Sequence, residues 1–201
     1  MKTKLADVLA GSLRLIVFSL IAGLTCGLTN AQKHTPSHAG PDKSKIAVRN
    51  NAASLLADLL GKDKNVSKIL IIKSNSDELG ELMKAISKAA GDGADELEAL
   101  AKNDKSLNLH ALQLPPGEIA ARAAMSKTDE HELLSTPGGE KFELKLLLTQ
   151  TEALNYGSHL AKVAADNSSS PEQQRIFHAL EVALNALYQQ VVSKLRALPG
   201  K

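Results

Sequence analysis

Apolar residues recur along this chain with the three-and-four spacing of amphipathic helices, most regularly in its last third. Ile176, Leu180, Ala183, Leu184, Leu187, Val191, Leu195 and Leu198 form one continuous stripe, and predict a helix from about Pro171 to Leu198. Its start is marked by Ser170 at the capping position, Pro171 at the first helical position and Gln173 at capping-box spacing. Phe142, Leu146, Ala153, Tyr156, Leu160 and Ala164 predict a partner helix from about Glu140 to Ala165. The linker Asp166-Asn-Ser-Ser-Ser170 allows only an antiparallel turn, so the two stripes bury each other.

Upstream, Ile46, Ala53, Leu56 and Leu60 predict a first helix from about Lys43 to Leu60, with Gly61 as its stop. Val66–Ile72 has the residue types of a buried strand. No second strand of that kind occurs, so helix is preferred. From Asp77 the stripe is Leu79, Leu82, Met83 and Ile86, then Leu97, Leu100 and Ala101. A break or kink is expected at Gly91-Asp-Gly93, because each glycine costs roughly 1 kcal/mol in a helix interior. Residues 105–139 read as a long crossover. Pro115-Pro116-Gly117 stops any helix there, and a short helix runs from about Ser126 to Leu134. The fold class is all-α, a bundle of four main helices with a long crossover between the second and third.

The first 31 residues read differently. Lys2, Lys4 and Arg14 precede an uncharged apolar run, Leu15–Leu28, and Thr29-Asn-Ala31 ends it with small residues. This is the pattern of a cleaved export signal, and the run is short of the roughly 20 residues that span a bilayer. The alternatives are an uncleaved membrane anchor and lipidation at Cys26, which follows Thr25. Residues 32–42 form a polar, proline-containing tether, leaving 43–201 as the helical-bundle domain. A periplasmic or secreted location follows from cleavage, and a membrane-anchored one from retention. The chain as a whole is formally +2. The leader holds three basic residues and one acidic, Asp7, so the remainder is formally neutral. It lacks the basic footprint that nucleic acid requires. Cys26 is the single cysteine, which excludes a disulfide framework and CxxC metal sites.

Together, Leu97-Glu-Ala-Leu-Ala101, Pro115-Pro116, Gly138-Gly139 followed by Phe142, and the closing helical hairpin resemble a family of exported bacterial proteins, often described as outer-membrane or periplasmic. The resemblance spans roughly residues 45–198 and implies a ferritin-like four-helix bundle, with no established reaction. Members carry an Asp-His pair late in the second helix and a His in each of the last two. Here the corresponding region reads Gly91-Asp92-Gly93, and Leu154 stands where the third-helix His is expected.

Candidate chemistry is sparse. Ferritin-like metal centres use Glu-x-x-His on facing helices, and that spacing is absent. The reverse spacing occurs at His178-x-x-Glu181. On a helical wheel His178 lies roughly 160° from its stripe and Glu181 roughly 100°, while His159 and Glu152 lie roughly 100–120° from theirs. All four are expected in solvent. Asp129-Glu-His131-Glu132 is dense in ligand types, but neighbours on a helix radiate apart. If cleavage leaves Gln32 first, His34 can join the terminal amine and two amides in a Cu(II) or Ni(II) site, unless the glutamine cyclises. No cofactor is expected, and a divalent-metal protein using His131, His159, His178 and nearby acids is the alternative. One feature exceeds what a bundle needs. Leu144, Leu147 and Leu148 lie off the core stripe of the third main helix, and are expected to be covered by the crossover, by a second protomer or protein partner, or by an apolar ligand.

Overall fold

The computed structural model describes residues 42–73 and 75–198. Residues 1–41, which hold the segment read as an export signal, Cys26, His34 and most of the stretch read as a tether, lie outside them. The described residues form five α-helices and one 3₁₀ segment, with no strand. Helix α1 spans Lys43–Asp63, the 3₁₀ segment Val66–Ile71, α2 Asp77–Asn103, α3 Pro116–Ser135, α4 Glu140–Asp166 and α5 Pro171–Ala197. The caps follow from local chemistry. Asp42 accepts from the Ser44 amide at 3.0 Å, and Ser76 and Ser170 accept from Leu79 and Gln173 at 3.4 Å each. Asp77 and Glu78 in the first turn of α2 complement its dipole. Gly139 precedes α4 with φ of 94°, a backbone state that glycine adopts without strain.

Helices α4 and α5 share the most extensive interface. Helix α1 packs on α2 and α4, and α2 also meets α5, so these four close a ring around one aliphatic core. The polar contacts fix their directions. Arg49 donates to Gln173 Oε1 at 3.0 Å, joining the starts of α1 and α5. The Ser76 amide donates to Glu143 Oε1 at 2.6 Å, joining the starts of α2 and α4. Lys194 at the end of α5 pairs with Glu78 at the start of α2. Helices α1 and α5 therefore run one way and α2 and α4 the other, and the 104–139 connection returns along the bundle.

Several boundaries differ from the sequence reading. Gly61 lies inside α1, which continues to Asp63. Segment 66–71 is helical, as preferred over a strand, but 3₁₀ rather than α; its buried Val66 and Ile69 are one 3₁₀ turn apart and join the core. The Gly91-Asp92-Gly93 stretch does not break α2. A Cβ on Gly93 would lie 2.7 Å from Leu180 Cδ2 and 3.3 Å from Leu60 Cδ1, so the missing side chain lets α2 approach its neighbours while the helix runs on. Pro116 does not exclude a helix but begins one: at the first helical position its missing N–H costs nothing, and α3 starts ten residues before Ser126.

Gly157 repeats the close-approach device on α4, where a Cβ would lie 2.7 Å from Leu59 Cδ2 and 3.2 Å from Leu184 Cδ1. Gly157→Val should destabilise the fold by about 1–3 kcal/mol through overpacking. Gly61→Ala should stabilise it by about 1 kcal/mol, because nothing lies within 4 Å of the added methyl. Thermal melts of the two variants should move in opposite directions.

Candidate interaction surface

Helix α4 has three helical neighbours, α1, α5 and α3, and its buried face is correspondingly wide. Phe142, Leu146, Ala153, Leu154 and Ala161 all point into the core. Leu147 does too: it is fully buried (0% exposed), in the same core as Leu133 of α3. Leu147 therefore does not belong to a free interaction surface; of the covers expected for it, the crossover is the one found, through α3. A helix wedged among three others must bury more than one stripe. Leu144 and Leu148 remain outside, 45% and 50% exposed and one turn apart.

Helix α3 lies antiparallel along α4 and buries a single side chain, Leu133. Polar contacts hold the rest. Glu132 pairs with Lys145, Arg122 sits 6.0 Å from the Tyr156 ring centroid, and Arg122 Nε donates to Glu118 at 2.6 Å. At the end of α3, Lys73 Nζ donates to the carbonyls of Leu134 at 2.6 Å and Thr136 at 2.8 Å. This seam brings Glu152 of α4 near Asp129 of α3. Partial loss of water raises both carboxyls above their ordinary range, Asp129 further through Glu132 and Glu152 through Asp129, while Lys145 opposes the rise at Asp129.

The histidines do not converge. His131, His159 and His178 are exposed on three different helices, and Glu152 is exposed as well. His178 Nδ1 meets Glu181 Oε2 at 3.1 Å, an interaction within one turn of α5. Among the described residues no group of three or more His, Cys, Asp or Glu is arranged to hold a metal ion. An open groove of about 960 Å³ lies between α1, the end of α2 and segment 105–110, lined by Ala57, Asp58, Lys62, Lys102 and His110 among others. Its Asp58 and Lys62 neutralise each other at 2.6 Å.

Three buried polar groups were not anticipated. Arg49 reaches Asn50 Oδ1, Gln173 Oε1 and the carbonyl of Ser106. Gln173 Nε2 in turn donates to Asp104 Oδ2 at 2.6 Å, so its side chain joins this network rather than returning to Ser170 as a capping box would. Asp104, also held by the Ser106 amide at 2.9 Å, has its carboxyl lowered first by the Ser106 hydroxyl and amide and then by Gln173 and Arg49. Asp63, at the end of α1, is buried, and burial pushes its carboxyl up to about 7. Gln150 is fully buried on α4, and neither amide atom has a hydrogen-bond partner among the described residues. Each replaces an apolar residue on a stripe: 49 and 63 extend the 46-53-56-60 series, and 150 fills the gap between 146 and 153.

Among the described residues no helix is long and apolar enough to cross a membrane. In comparisons with known proteins, no family model, no curated protein and no solved structure matches the chain.

Proposed function

We propose that this protein is an exported helical bundle, ferritin-like in its crossover topology, that works as a binding or structural module rather than as an enzyme. The observation that carries the reading is the pair Leu144 and Leu148. They stand half-exposed on a helix whose other leucines are core, while every described histidine faces solvent singly. Apolar side chains one turn apart on an outer face are the usual anchor of a helix-mediated contact. The leader supports export to the periplasm or exterior, and the formally neutral remainder supports a protein partner rather than nucleic acid. The partner proposed here is a second copy of the chain.

Light scattering on the purified chain and on Leu144→Gln/Leu148→Gln tests this. The wild type is expected above the monomer mass, with the double variant returning to the monomer at unchanged melting temperature. Leu147→Gln is the contrast: it places an amide in the core and should cost roughly 2–4 kcal/mol of stability. A monomeric wild type, or a double variant that keeps its assembly, overturns the proposal.

A further inference from the structure

The 3₁₀ segment uses only part of its apolar content to close the core. In Val66-Ser-Lys-Ile-Leu-Ile-Ile72, Val66 and Ile69 are buried and Leu70 is half-buried, whereas Ile71 is 81% exposed and Ile72 45%. A 3₁₀ turn places every third residue on one side, so capping the bundle does not require isoleucine at 71. Ile71 is the most exposed large apolar side chain described.

The stretch of chain that carries it is basic. Residues 64–73 contain Lys64, Lys68 and Lys73 and no acid; the nearest carboxylates along the chain are Asp63, which is buried, and Asp77. Lys64 and Lys68 are exposed, with no ion pair among the described residues. Lys73 is tied to the Leu134 and Thr136 carbonyls, which bonds leave its charge uncompensated. They also set the tip beside Leu134, itself 39% exposed. An exposed apolar point in a basic stretch of chain matches the boundary of an anionic bilayer, where isoleucines enter the acyl region and ammonium groups meet lipid phosphates. A protein partner would need a fitted hollow for a protruding side chain; a fluid interface opens around it.

We propose that the tip formed by Ile71 and Ile72, in the basic segment that carries Lys64, Lys68 and Lys73, docks this bundle on membrane surfaces rich in anionic phospholipid. This goes beyond the module reading and does not depend on Leu144 or Leu148. The chain contains no tryptophan, so Ile71→Trp installs a single fluorescent reporter, with Val182→Trp, at an exposed site on α5, as the control. Vesicles of phosphatidylcholine with phosphatidylglycerol should shift the emission of the Ile71→Trp protein to shorter wavelength and make it quenchable by brominated acyl chains. Pure phosphatidylcholine should do neither. Adding Lys64→Glu and Lys68→Glu should raise the lipid needed by roughly tenfold or more. Attachment through the apolar leader alone would leave the position-71 reporter in water even when the chain sediments with vesicles. That outcome, an equal response at position 182, or an equal response to uncharged vesicles overturns the proposal.

Discussion

Arg49→Met is expected to cost the fold about 3 kcal/mol or more, measured by urea denaturation, although the substitution keeps most of the apolar stem. The guanidinium is buried where α1, the 104–113 crossover and α5 meet. It donates to Gln173 Oε1 at 3.0 Å, to Asn50 Oδ1 at 2.9 and 3.0 Å, and to the Ser106 carbonyl. Removing it strands the buried Gln173 Oε1, and a stranded buried acceptor costs more than the bond it made was worth. Arg49→Lys should recover only part of the loss, because one ammonium cannot span the same three acceptors as a planar fork. A double-mutant cycle with Gln173→Leu should give a coupling of about 1–2 kcal/mol. If Arg49→Met lost less than about 1 kcal/mol, water would be replacing the guanidinium and the junction would be wet.

That junction also bears on what the amino-acid pattern reveals. The α4–α5 hairpin was legible because each helix carries an uninterrupted stripe and the turn between them is short. The same periodicity concealed the polar interior. Arg49, Asp63 and Gln150 stand where the stripe calls for an apolar residue, and a count of apolar positions passes over them. Read as interruptions of a stripe, they become the most informative positions in α1 and α4. An arginine there has to find acceptors from distant segments, here Gln173 and Ser106.

Glycine and proline were misread for a related reason. Their helix costs are averages over exposed helices. At Gly93 and Gly157 tight helix crossings outweigh those costs, since Leu180 and Leu59 occupy the space a methyl would take. Pro116 was taken as a stop because its ring forbids a preceding turn, yet the same ring suits the first position of α3. The wheel placed His159, His178 and Glu152 outward as found, and set Leu147 off the core stripe with the crossover as one cover for it; Leu147 shares the core with Leu133 of α3, which lies in that crossover. The third neighbour, α3, lies within a connection of which only the part from about Ser126 to Leu134 read as helix. Its attachment through one buried leucine and a row of charges leaves almost no apolar periodicity to detect.

Asp63→Asn should stabilise the protein, and the gain should grow with pH. The carboxyl is buried with no cation bonded to it among the described residues, and desolvation lifts it from 3.8 to about 7, with Lys62 only partly offsetting the rise. The sign follows from proton counting. Between about pH 4 and pH 7 the folded chain holds this proton and the unfolded chain has released it, so stability falls as pH rises through that window. Below it both states are protonated and the penalty vanishes. Above pH 7 both are ionised and the penalty is constant, on the order of 4 kcal/mol from the size of the rise. Asparagine has the same shape without the charge but still buries an amide, so the net gain above pH 7 should be about 1–3 kcal/mol. Unfolding free energies for the two proteins should converge toward pH 4 and separate steadily up to pH 7. A constant difference across that range would mean that the Asp63 carboxylate is solvated in the folded state, and that the end of α1 is open to water.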